Sequence, residues 1–178
     1  MGTIVALQPP NTRLDIRDLG EADRLFLWMV RTWVQGLNQS IEVEHEIEAG
    51  LLAHRIPEAM TAFDGFMMSI ATCARRNIDI QRRRTVVIST AEIILLRAFG
   101  AVGAGMRALS ASVLSLLVDG TGRRIATDNL ERLADHFANA ALIPALFIKQ
   151  DRPAAGTGDW HAGTIPGRLT VGSVPDVL

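Results

Sequence analysis

Five arginines stand within ten residues of this chain, Arg75-Arg76 and Arg82-Arg83-Arg84, on either side of the peptide Asn77-Ile78-Asp79-Ile80-Gln81. Shortly after them, Ser89 and Thr90 open a segment with the signature of a helix start. Guanidinium forks next to the free amides of a helix N-terminus are the ingredients of an anion site. In that reading Arg82, Arg83 and Arg84 supply fork donors, while Ser89, Thr90 and the amides behind them meet the remaining lone pairs. The competing reading is a solvated turn tip, or ion pairs with the acidic segment Ser40 to Ile56. A phosphorylated metabolite suits these donors better than duplex DNA, because the chain carries a formal net charge of −1 and shows no recognition helix.

Other reactive residue types are present in weaker patterns. Glu42 and His45 form an E-x-x-H pair on one helical face, a unit that di-iron bundles use twice. No second copy occurs, and the residues around it lie opposite the apolar stripe, so a solvated acidic face is expected and no metal site. Cys73 follows Phe66 by one heptad and precedes two arginines. Its position on an apolar face near a helix C-terminus favours an inert core thiol over a nucleophile. Asp135 and His136 are adjacent, and residues one apart on a helix do not face each other. There is no G-x-S-x-G, P-loop, G-x-G-x-x-G or H-E-x-x-H. No catalytic residue and no cofactor is therefore assigned, and the reading leans away from an enzyme. Tyrosine is absent and aromatics make up 5%, which argues against base stacking on nucleic acid.

These residues must be positioned by helices. The run Asp18 to Gly36 carries Leu19, Ala22, Phe26, Met29, Val30 and Trp33 at a 3.6-residue period, with acids in its first turn. Leu25, Leu27 and Trp28 add apolar surface outside that stripe, so this helix is expected to be covered on more than one side. Ser40 is the expected cap of a second helix whose inner side is Val43, Ile47, Leu51 and His54. Pro57 suits the first turn of a third, which reaches Arg76 and faces inward through Phe63, Phe66 and Met67. Ile78, Ile80 and Val86 to Ile88 change the period to that of a short hairpin across Gln81 to Arg84. Ser89 and Glu92 match a capping box, opening a fourth helix to Gly103. A fifth runs from Met106 to Val118, DGTG at Asp119 reads as a stop and turn, and a last helix starts near Thr127. Leu109, Leu116, Leu133 and Phe137 complete the expected core.

The chain has 178 residues, 48% of them apolar and 21% charged, the make-up of one globular domain. Seventeen of its 18 basic residues are arginine, a bias that a GC-rich genome also produces. The charges separate: residues 15–64 hold ten acids against four arginines, and residues 75–124 nine arginines against three acids. Such halves can pair within one subunit or between two. One cysteine permits no intrachain disulfide, and the first residues lack a secretory pattern, which points to the cytoplasm. Gly100 to Val118 is apolar enough to raise a membrane-associated alternative. Arg107 within it, and the breaks at Gly103 and Gly105, favour a buried hairpin.

The order RLFLWMVRTWVQG, then FDGFMMSIATCARRNIDI, then STAEIILL resembles that of a group of short alphaproteobacterial proteins of unknown function. It covers roughly residues 20–145 and implies a bulky helix, a helix leading into a short extended pair, and a T/S-x-x-E helix start. The group has no assigned activity, so no site comes with it. The sequence thus predicts a mainly α protein. An irregular lead (1–17) precedes a bundle of five to six helices with a minor β-hairpin (18–148), and a Gly/Pro-rich tail (149–178) follows. The favoured function is a non-enzymatic interaction or scaffolding protein forming a homo-oligomer. The alternative is a regulatory domain that binds a small anionic ligand through Arg82 to Arg84.

Overall fold

The computed structural model describes residues 14–145, and the 149–178 tail lies outside them. A short 3-10 turn at Ile16–Asp18 leads into six helices: α1 (Glu21–Gln39), α2 (Glu44–Ala53), α3 (Ala59–Thr72), α4 (Thr90–Gly103), α5 (Arg107–Leu114) and α6 (Gly120–Asn139). The protein is a helical bundle. α3 packs along α6, and α4 lies against α5 and α6.

The core is joined by four phenylalanines from four helices. Phe26 of α1 stacks on Phe99 of α4 with ring centroids 4.4 Å apart and touches Phe66 of α3 at 5.9 Å. Phe99 meets Phe137 of α6 edge-on at 5.1 Å. Offset and edge-to-face pairs such as these add to what area burial alone supplies. α4 is the central element, with Ala91, Ile94, Leu95, Ala98, Phe99 and Ala101 all buried. A helix that is apolar on every side is one that neighbours surround. The apolar stretch Gly100 to Val118 behind the membrane alternative takes only its first four residues from α4. The stretch breaks at Gly105, whose φ of +72° turns the chain into α5, and no described helix is long and apolar enough to cross a membrane. α1 is covered on more than one side, as expected: Leu25 and Leu27 are buried together with Phe26, Met29 and Val30.

Several boundaries differ from the sequence reading. Ser40 does not cap α2; it ends α1 in the left-handed region at φ 52°, and α2 begins four residues later. α6 starts at Gly120, because the Asp119 side chain caps it by accepting the Gly122 N–H at 2.7 Å. D-G-T-G satisfies a turn and a helix start equally well, since Asp is a strong cap and Gly122 leaves room for the Cys73 side chain. Leu109 and Leu116 are 39% and 56% exposed rather than buried. α5 ends at Leu114 and turns its Ser110 and Leu114 side inward, which leaves Leu109 outside, and Leu116 follows in the turn beyond. Cys73 is half-buried rather than fully enclosed, with its side chain against Gly122 at the start of α6.

The expected hairpin at 78–88 does not form among the described residues. Arg82 to Thr85 closes a turn, with Thr85 N–H donating to Arg82 C=O at 2.9 Å, but the two arms do not pair. Val87 instead makes an isolated antiparallel bridge with Asp15, and the Ile88 N–H reaches Leu14 C=O at 3.1 Å. Two lone strands are marginal in water. Here the arms' polar groups find partners in the side chains of Arg31 and Glu92.

Candidate functional site

The site is built on a buried ion pair. Arg31 of α1 and Glu92 of α4 have side chains 1% and 0% exposed. Arg31 Nε and Nη2 donate to the two carboxylate oxygens at 2.7 and 3.0 Å. Arg31 has further N–H groups to place, and they go to the backbone of the arginine turn. Nη2 donates to Val87 C=O at 3.0 Å, and Nη1 to Thr85 C=O and, at 3.5 Å, to Arg82 C=O. Glu92 accepts two more hydrogen bonds, from Gln81 N–H at 3.0 Å and Ser89 N–H at 2.8 Å. An ion pair withdrawn from water is tolerated only when its leftover donors and acceptors are met. Meeting them is what fixes residues 81–89 against α1 and α4.

On this platform the arginine turn and α1 enclose the largest cavity described, a cleft of about 1110 Å³. Trp28, Gln35, Asn38 and Gln39 line it from α1, and Gln81 with Arg82, Arg83 and Arg84 line it from the turn. No carboxylate is among its lining residues. Arg83 leans over Trp28, with its guanidinium carbon 6.0 Å from the ring centroid, and grips Glu46 of α2 with both terminal nitrogens, one contact being 2.9 Å. The Trp28 ring fits because α2 presents Gly50 there: a Cβ on Gly50 would stand 2.5 Å from the ring. Arg82 and Arg84 are exposed and take part in no ion pair among the described residues.

The predicted anion-binding residues are therefore divided. Arg82, Arg83 and Arg84 come together at the cleft, with Arg83 already holding Glu46 in the acidic segment. Ser89 and Thr90 do not line it. Ser89 is consumed by the capping box: its hydroxyl donates to Asp79 C=O at 2.6 Å and accepts the Glu92 N–H at 3.1 Å. Thr90 is the exposed first residue of α4. The charge that the α4 N-terminus attracts is supplied from within, by Glu92.

Sequence reasoning missed Arg31 and the amides Gln35, Asn38 and Gln39. Arg31 did leave a signal, as the single charge in the eight-residue run Leu27 to Val34. A lone arginine amid tryptophans and aliphatics on a helix covered from several sides has to find a buried partner.

Elsewhere, His45 pairs with Glu48 at 3.5 Å on an exposed face, and no three metal-binding side chains gather among the described residues. His54 and His136 line a second cavity of about 570 Å³ where α2 and α6 end. Asp23, buried near the start of α1, accepts the Ala145 N–H at 3.2 Å. Burial pushes its carboxyl up to about 6, against the opposing pull of that hydrogen bond. No described protein family, curated protein or solved structure matches the chain.

Proposed function

We propose that this chain is a non-enzymatic binding module that takes a small anion in the cleft between α1 and the arginine turn. One observation carries this reading. The largest described cavity is lined by three arginines of the turn, two of them in no ion pair among the described residues, and by the side-chain amides of α1, with no carboxylate among the described residues of its wall. Guanidinium forks and amide N–H groups together match the oxygens of a phosphate or carboxylate. The Arg31–Glu92 platform supports it further, because donors held in place before binding lose less freedom on capture.

The test is a thermal-shift screen with phosphate-bearing metabolites, run on the wild type and on Arg82→Ala/Arg84→Ala, which leaves the Arg83–Glu46 pair intact. A ligand at about 100 times its dissociation constant raises stability by roughly 2.7 kcal/mol in the wild type, and the double variant loses that gain. Equal shifts in both proteins would remove the arginines from the site. Homo-oligomer formation is a second reading, favoured by the outward Leu109 of α5 and Leu116 in the turn after it. A strict monomer by light scattering at high concentration ends it.

A further inference from the structure

We infer that the ligand of the arginine cleft is a single-chain anionic amphiphile, with its headgroup at Arg82 and Arg84 and its alkyl chain in a groove beyond Ile80. The inference rests on the anion reading above and adds the class of molecule. A second cavity, of about 410 Å³, shares Val34, Asn38 and Ile80 with the arginine cleft, so the two meet along one stretch of α1. Trp33, Leu37, Met67, Ile70, Ile78 and Leu95 supply its apolar lining. Leu37 is 60% exposed, an unpartnered apolar side chain at the site where such a chain would lie.

The two cavities divide the ligand between them by charge. The groove's lining carries one charge of each sign, Arg76 and Asp79, whereas the cleft's carries the three arginines of the turn and no carboxylate. A negative headgroup is thus drawn to Arg82 and Arg84, where the positive charge is not offset, while a hydrocarbon chain gains most where the wall is apolar. An inorganic anion would use the first cavity and leave Leu37 in water.

Tryptophan fluorescence reads both halves. Trp28 lines the cleft and Trp33 the groove, so a Trp160→Phe background reports the site without the third indole. This protein is titrated with inorganic phosphate, butyl phosphate, octyl phosphate and octyltrimethylammonium, all below micelle formation. Each methylene fully withdrawn from water tightens binding by about fourfold, so the four extra methylenes set a ceiling of about 250-fold, and with the chain only half withdrawn octyl phosphate should still bind at least about tenfold more tightly than butyl phosphate. Leu37→Glu should erase most of that chain-length advantage, because its added charge acts on both phosphates alike and cancels in their ratio. Arg82→Ala/Arg84→Ala should weaken both phosphates.

If butyl and octyl phosphate bind equally, the amphiphile falls and the anion reading stands. Should none of the phosphates bind, both fall. Octyltrimethylammonium binding as tightly as octyl phosphate would mean uptake by apolar surface alone, which also overturns the proposal. So would binding to phosphatidylglycerol vesicles without binding to dissolved octyl phosphate, because the anion would then belong to a lipid surface. The chain-length series needs no variant, so the conclusion does not depend on Leu37→Glu folding normally.

Discussion

Arg31 and Arg83 each hold a glutamate with a two-pronged grip, Glu92 in the interior and Glu46 at the surface. At the surface the side chains are 29% and 45% exposed, and water can meet whatever the pair leaves unsatisfied. In the interior no water is at hand, so the unused donors and acceptors must be met by protein. They are met by the carbonyls of Thr85 and Val87 and the amides of Gln81 and Ser89. The same chemical pair is therefore an accessory at one site and the organiser of a loop at the other. Burial makes the difference, because it decides which groups have to be paired.

The strongest way to break this comparison is to remove one interior partner. Arg31→Met leaves Glu92 charged in the core and should cost about 3–5 kcal/mol, measured as a fall in the urea midpoint at neutral pH. A buried pair can often be replaced by two apolar residues without loss. Here Arg31→Met/Glu92→Leu should stay well below the wild type, because the double change strands the backbone groups of the turn. Full recovery in the double variant would show that the turn does not depend on the pair.

Asp23 sharpens the contrast, being a buried carboxylate without a guanidinium. Its carboxyl, raised from 3.8 to about 6, binds its proton more tightly in the folded chain than in the unfolded one. Its contribution to stability is therefore whole below about pH 4, declines as pH rises to about 6, and is flat above that. Asp23→Asn should raise stability at pH 7 by about 2–3 kcal/mol and flatten the denaturation profile between those limits. Parallel profiles for variant and wild type would refute this.

The smallest effect belongs to the surface. Arg83→Ala should cost less than about 1 kcal/mol, and the difference from wild type should fade in roughly 0.5 M salt. A salt-independent loss would mean that Arg83 acts through its packing on Trp28 and not through Glu46.

What the sequence made legible were features held within a few residues. Ser89 and Glu92 reciprocate across one helical turn, and both bonds of the capping box are present. The stripe Phe26, Phe63, Phe66, Met67, Leu133 and Phe137 is buried because periodicity marks a helix face. Periodicity does not say which side of α5 turns inward or that the helix stops at Leu114, since neighbouring helices decide that, and so Leu109 and Leu116 stay outside against expectation. The cleft was half legible: the arginines announce themselves by clustering. Gln35, Asn38 and Gln39 read as ordinary solvent-facing residues until the turn is laid over α1. Glu92 stood out as a cap, but its partner Arg31 lies 61 residues earlier, a separation at which spacing carries no information.

The segment from Arg76 to Ser89 contains no helix and no ladder, so it has the outline of a loop whose amide protons would trade quickly with solvent. Gln81 and Ser89 break that expectation. Each donates its N–H to a carboxylate that has no surface exposure and is clamped by Arg31. In heavy water these two protons leave when the turn lifts off Glu92, an opening that also strips the Arg31–Glu92 pair of its backbone partners. The exchange clock of two amides flanking the arginine turn is therefore set by the buried pair beneath it, and it reports the hold of that pair from outside any helix.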